Sequence, residues 1–322
     1  MKSFVIICSL IIAFISGYYI HNLTGETNNT KPAHDLRAGG YTFINPLLEC
    51  NNNEILSAEL RPFKAEIENY IEEQKKSNNI DSSSVYFRDL NNGPWFGINE
   101  NELMSPASLL KVPIMMSAYK KAEDSPGYLN KNLIVSVMPN YSDQNIQPEK
   151  KLMLGDDLTI DDLVNQMIVY SDNIAAGMIK DDLGYTRIMY LYSDLGLTQP
   201  ESDKDWEMSI KDNASFYRIL YNASYLNKNF SEKALGLLAQ TKFKNGVAGG
   251  VPQNIKVAHK FGERRLNDLK ILQFHDCGIV YYPKNPYILC VMTKGDHFEL
   301  MENFITGLSK IVYQNVNNQK SK

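Results

Sequence analysis

Ser108 and Lys111 stand three residues apart in the segment Ser105-Pro-Ala-Ser-Leu-Leu-Lys111. At the start of a helix this spacing puts both side chains on one face. A serine hydroxyl is a weak nucleophile until a base takes its proton. A lysine amine serves as that base when burial or a neighbouring cation lowers its pKa. Backbone N–H groups at a helix start also point at any oxyanion that develops there. The apolar run Val112-Pro-Ile-Met-Met116 follows at once and draws Lys111 inward. Without that run, Lys111 would read as an ordinary solvated lysine.

Two further segments carry polar chemistry. Tyr170-Ser171-Asp172-Asn173 lies between two apolar helical stretches. Ser171 could relay a proton to a leaving group and Asn173 could hydrogen-bond a substrate amide, with Asp172 holding the turn. A plain helix N-cap accounts for the same residues, since Ser, Asp and Asn are the preferred caps. His259-Lys260-Phe261-Gly262-Glu263-Arg264-Arg265 ends a strand-like stretch. A strand lysine beside a glycine can hold positive charge against a substrate while the glycine admits the substrate backbone. A charge-protected edge strand explains it equally well.

The elements that must position these residues follow from apolar spacing. Leu60, Phe63, Ile67, Tyr70 and Ile71 recur at helical steps, with Pro62 near the first turn. Ser84 to Leu90 and Trp95 to Ile98 read as strands around an Asn-Asn-Gly-Pro turn. The ranges 109–122, 160–170, 174–183, 185–195 and 211–226 read as helices. Strand character returns at 255–261, 277–282 and 287–293, and the end of the chain is helical again. This order predicts an α/β (α+β) fold: an antiparallel five-stranded sheet whose strands come from both ends of the chain. The N- and C-terminal helices flank that sheet, and an all-helical subdomain is inserted at about residues 105–245.

Composition narrows the rest. The 322 residues are 43% hydrophobic, 22% charged and 11% aromatic, with a formal net charge of −4. That is a folding composition, and it offers no basic footprint for nucleic acid. The four cysteines include no C-x-x-C pair, so no structural metal site is expected. Lys2 precedes the apolar run Phe4 to Ile20. That is the pattern of an export signal, and about 17 residues is also near the length of a membrane anchor. Residues 21–54 read as a tether and lead-in, 55–315 as the folded domain and 316–322 as a polar tail. The expected location is extracytoplasmic, secreted or anchored by the N-terminal segment.

The three segments together, in this order and 63 and then 89 residues apart, resemble the class A β-lactamase and penicillin-recognising serine hydrolase superfamily, whose signature is S-x-x-K, S-D-N and K-T-G. The resemblance runs from about residue 55 to 313. It includes Leu158-Thr-Ile-Asp-Asp-Leu163 and Asp276-Cys-Gly-Ile-Val280. It implies Ser108 as the acylated nucleophile, Lys111 as base or proton shuttle, Ser171 as shuttle, Asn173 as substrate ligand and Lys260 as positive charge. The N–H groups of Ser108 and Glu263 would form the oxyanion hole, with Gly262 admitting the substrate. The implied partner is a β-lactam or a peptidoglycan stem peptide, and no cofactor is implied.

Two departures matter. Phe261 replaces the family's threonine and removes a hydroxyl, for which Arg264 or Arg265 could compensate. The family's E-x-x-L-N deacylation loop is missing between Thr198 and Met208. Glu207 is the best local candidate there, against a plain acidic turn. Three readings stay open: a β-lactamase-like hydrolase, a penicillin-inhibited cell-wall D,D-peptidase or transpeptidase, and an inactive tethered binding module. Cys277 and Cys290 are expected as buried thiols, diagonal to one another if 282 pairs with 287. His259, His275 and His297 are expected to serve local structure.

Overall fold

A computed structural model describes residues 36–37, 39–49, 60–91, 93–142, 144–199, 206–266 and 271–319. The apolar stretch read as an export signal or anchor lies outside the described residues. Among the described residues no helix is long and apolar enough to cross a membrane.

After a short pairing of Leu36–Arg37 with Leu47–Glu49 come helix α1 (Arg61–Lys76) and strands β1 (Ser82–Asp89) and β2 (Trp95–Ile98). Six helices follow: α2 (Lys111–Asp124), α3 (Ile160–Val169), α4 (Asn173–Leu183), α5 (Tyr185–Asp194), α6 (Ile210–Asn222) and α7 (Lys228–Leu238). Strands β3 (Val257–Leu266), β4 (Ile271–Val280) and β5 (Tyr287–Gly295) and helix α8 (Phe298–Gln319) close the fold. The five strands form one antiparallel sheet in the order β2-β1-β5-β4-β3. The expected inserted helical block and five-stranded sheet are both present.

Strand alternation splits the interior into two cores. Val85, Phe87, Phe274, Leu289 and Val291 face α1 and α8, where Phe63, Ile67, Phe304, Leu308 and Val312 are buried. Tyr86, Cys277, Ile279, Ile288 and Met292 face the helical block. Each fully buried side chain of this kind contributes roughly 1.5–3 kcal/mol, so both faces hold the sheet in register. Helix starts inside the block are capped as their sequences dictate. Thr159 and Asp162 form a capping box on α3, and Asp172 accepts from the Ala175 N–H at 2.9 Å on α4.

Several boundaries move. Strand β3 runs on to Leu266 because its pairing with β4 continues from Val257↔Val280 to Leu266↔Ile271. Glu263 and Arg264 are therefore strand residues. Helix α7 is separate from α6: Ala223 turns left-handed at φ +48°, and Asn227 caps the new helix through the Phe230 N–H at 2.9 Å. Helix α8 runs on through the first residues of the expected polar tail, to Gln319, and Val316 is 1% exposed; residues 320–322 lie outside the described residues. Part of the lead-in is docked as well. The Glu232 carboxylate accepts from the N–H groups of Thr42, Phe43 and Ile44, and the Asn45 N–H donates to the Tyr221 carbonyl.

The cysteines correct the sequence reading. Val280 pairs with Tyr287, so Cys277 and Cys290 are directly opposite rather than diagonal, and they form a disulfide. The hairpin loop is two residues longer than assumed, which slides the two thiols into register.

Candidate active site

Ser108 sits in a short 3-10 turn, Ala107–Leu110, that runs straight into α2. Ala107 is left-handed at φ +49°. Alanine at such an angle costs of order 1–3 kcal/mol, so surrounding contacts must impose this turn. Two are visible. A Cβ built on Gly262 would come within 3.0 Å of the Ser108 backbone N and 3.1 Å of the Pro106 carbonyl oxygen, so strand β3 lies against the turn. Behind it, His275 Nδ1 accepts from the Thr293 N–H at 3.2 Å. That fixes the proton on Nε2, which donates to the Ser105 carbonyl at 2.9 Å. Burial lowers the pKa of His275 to about 4, so the ring stays neutral. The sequence carries no sign of this role.

Ser171 lies at the junction of α3 and α4 and is also left-handed, at φ +58°. Its carbonyl is gripped by Lys111 Nζ at 2.6 Å and by Gln144 Nε2 at 3.2 Å. Asp172 holds the turn from below, capping α4 and accepting from the Tyr141 hydroxyl at 2.8 Å. Tyr141 and Gln144 were not legible as site residues.

Three of the four predicted catalytic residues meet directly. Lys111 Nζ approaches Ser171 Oγ at 3.2 Å and Asn173 Oδ1 at 2.6 Å. Lys260 Nζ donates to the same Ser171 Oγ at 2.8 Å and to the Phe261 carbonyl at 2.7 Å. Ser171 Oγ thus accepts from both amines and keeps its own proton to give elsewhere. Asn173 is exposed, and its Oδ1 is taken by Lys111, so its NH₂ group remains as a donor. The donors of Lys111 are spent on Ser171 and Asn173 rather than on Ser108 Oγ, one helical turn back. Burial lowers the Lys111 pKa to about 7, against the opposing pull of the Asp172 and Glu263 carboxylates. Burial first, and Lys111 second, push the Lys260 pKa well below its ordinary value.

The remaining predicted residues are spread along β3. Phe261 is 4% exposed and stacks among Phe243 and Phe274, with Lys260 Nζ 4.1 Å from its ring centroid. An aromatic ring beside the Lys260 amine stands where the threonine hydroxyl was expected. Arg264 donates to Ser105 Oγ on the loop ahead of Ser108. Arg265 lies over the Phe298 ring at 5.8 Å. Glu263 Oε1 accepts from the Ile146 N–H at 2.7 Å, joining the sheet edge to the loop that carries Gln144. Glu207 is exposed.

The β-lactamase enzyme family model matches residues 62–316. The chain belongs to this family. It is a serine hydrolase of the β-lactamase type, and its sequence holds S-x-x-K, S-D-N and a K-F-G in place of K-T-G. Among curated proteins it is 24% identical over 243 residues to the β-lactamase VEB-1 of Pseudomonas aeruginosa, which spans 67% of this chain and 79% of that one. Among solved structures, a mutant of PBP-A captured as an acyl-enzyme with penicillin G aligns with a TM-score of 0.66 at 20% identity, over 79% of this chain and 97% of that one. A class A β-lactamase from Mycobacterium abscessus aligns with a TM-score of 0.65 at 18% identity, over 78% and 99%. At these identities the structures establish the shared fold of this β-lactamase-family chain.

Proposed function

We propose that this chain cleaves β-lactams outside the cytoplasm through an acyl-enzyme on Ser108. One observation carries the reading: a serine hydroxyl held between two buried amines, 2.8 Å from one and 3.2 Å from the other, beside the Ser108 turn. In its neutral form Lys111 takes the Ser108 proton, and Ser108 Oγ attacks the lactam carbonyl carbon. The N–H groups of Ser108 and Glu263 hold the oxyanion. Ser171 gives its proton to the departing lactam nitrogen as the C–N bond breaks, and regains one from Lys111. Asn173 donates to the substrate amide. Arg264 supplies positive charge, Lys260 donates to Ser171 Oγ from the sheet side, and Gly262 leaves room for the substrate backbone. Water then hydrolyses the ester. Lys2 ahead of the apolar run Phe4 to Ile20 supports export or anchoring.

Intact-mass measurement after incubation with a fluorescent penicillin tests this. One covalent adduct is expected on the wild type and none on Ser108→Ala. No wild-type adduct, or an adduct that survives the substitution, defeats the reading.

A second reading is favoured by the missing E-x-x-L-N segment, since the local candidate Glu207 is exposed to solvent. Slow deacylation would suit a D,D-peptidase or transpeptidase that penicillins inhibit. Release of D-Ala from a stem peptide supports it. Nitrocefin turnover at about ten per second or faster excludes it.

A further inference from the structure

Ile134, Val137, Met138, Met153 and Leu154 are five of the ten large hydrophobic side chains exposed among the described residues, each of them between 54% and 75% exposed. All five belong to one hairpin. Its short strands, Asn132–Ile134 and Asp157–Thr159, pair antiparallel. Beyond them the Val135 N–H donates to the Asp156 carbonyl and the Gly155 N–H to the Val135 carbonyl, both at 2.9 Å. Met153 and Leu154 sit on a turn closed by the Asp156 N–H on the Met153 carbonyl at 3.1 Å, with Gly155 at φ +90° as such a turn requires.

The hairpin is held firmly. Val135 and Leu152 are buried in the core of the helical block while their neighbours face water. The Leu152 N–H donates to the Tyr141 hydroxyl at 2.9 Å, and that hydroxyl donates to Asp172 under the Ser171 turn. An apolar cluster fixed in place and left in water marks a contact surface.

Its make-up says what it contacts. No aromatic ring or guanidinium is among the five, although such anchors dominate protein interfaces. Five side chains also fall well short of the roughly 20–30 residues a side that a stable dimer buries. Charge around them cancels: exposed Lys150 and Lys151 stand against exposed Glu149 and Asp157, and Lys131 is paired with Asp182. Apolar side chains without a polar pattern suit the acyl boundary of a lipid surface, and the cancelled charge suits lipid of no net charge. The chain also carries its own lipid-seeking segment. The apolar run Phe4 to Ile20 ends in Tyr18-Tyr19-Ile20, and tyrosine favours the membrane–water boundary. Residues 21–35, which precede Leu36, span at most about 50 Å.

Resting on the reading of Phe4 to Ile20 as an anchor, we propose that this hairpin docks on the bilayer that holds the chain, with its five apolar side chains entering the lipid surface. The loop between its two arms carries Tyr141 and Gln144, so docking also fixes the Ser171 turn relative to the membrane.

Two thioethers report on this. Met138 and Met153 are the most exposed methionines among the described residues, and Met178 on α4 is half-buried. The full chain is reconstituted in phosphatidylcholine vesicles and treated with chloramine-T, a charged oxidant that stays in water. Sulfoxide is then read peptide by peptide by mass. Met138 and Met153 are expected to oxidise about tenfold more slowly than in a variant carrying Val137→Glu and Leu154→Glu, whose charges oppose insertion. Met178 should oxidise equally in both proteins, and the thermal midpoint should be unchanged, which separates lost docking from a damaged fold. Oxidation of the wild type at the variant's rate overturns the proposal. So does protection that fades as the chain is diluted into excess lipid, which assigns the patch to a second copy. A chain that does not float with the vesicles defeats the anchoring reading instead. The same oxidation at rising lipid concentration then decides the patch: protection that saturates with lipid supports docking, and unchanged rates overturn it.

Discussion

Lys260 Nζ donates to Ser171 Oγ at 2.8 Å, although the two residues lie 89 apart in the chain and on different lobes of the fold. The contact closes the sheet edge onto the helical block, and Lys111 meets the same oxygen from the other side at 3.2 Å. Replacing Ser171 by alanine removes a hydroxyl that accepts from both amines and still holds a proton to deliver. Acylation by a fluorescent penicillin is expected to fall by about 10²–10⁴-fold, the usual worth of a positioned proton donor. Stopped-flow acylation alongside a thermal melt checks this. A variant that acylates at the wild-type rate removes Ser171 from the mechanism.

Burial holds Lys111 near a pKa of about 7. A base must be neutral to accept a proton, so the acylation rate is expected to rise with pH through about 7 and then level off. Lys111→Gln should abolish both the rate and its rising limb. A single-turnover pH series on both proteins measures this, and a flat profile in the wild type would assign the base elsewhere.

Gly262→Ala introduces a Cβ at 3.0 Å from the Ser108 N and 3.2 Å from the Leu109 N, both backbone atoms. The turn must give way by a few tenths of an ångström. Because reacting groups tolerate little misplacement, acylation is expected to fall by about tenfold or more, with a much smaller effect on the thermal midpoint. Equal losses in both would mean that the glycine serves packing alone.

His275 is buried and neutral, with its pKa lowered from the usual 6.5 to about 4. The unfolded chain therefore binds this proton more readily than the folded one. Stability is expected to decline as pH falls from about 6.5 to about 4, by roughly 3 kcal/mol from this group if the shift is fully expressed. Urea melts at several pH values, compared with His275→Gln, isolate the contribution. The variant should show a shallower acid limb, and an unchanged limb would assign the acid sensitivity to other groups.

Much of the site was readable before the fold because its chemistry sits in short segments. Ser108 and Lys111 share one helix start, and Ser171, Asp172 and Asn173 share one cap. Periodicity also placed both terminal helices and all five strands, since each strand buries alternate residues against a different core. What stayed hidden depends on register and on contacts between distant segments. A two-residue shift of register in the β4–β5 hairpin decided whether Cys277 met Cys290. His275 looks like any strand histidine until Thr293 and Ser105 appear on either side of it. Gln144 and Tyr141 reach the Ser171 turn from a loop with no regular pattern. Phe261 looked like a lost function. Its ring is in fact core, built into an aromatic group with Phe243 and Phe274.

The bond between Cys277 and Cys290 lies at the centre of the sheet, where both residues are 0% exposed. Exchange requires a thiolate to reach one of the sulfurs, and no reagent does so while the strands stay zipped. Its oxidation state is therefore inherited from the moment of assembly. Later surroundings, however reducing, act on it only at the pace at which whole molecules come apart.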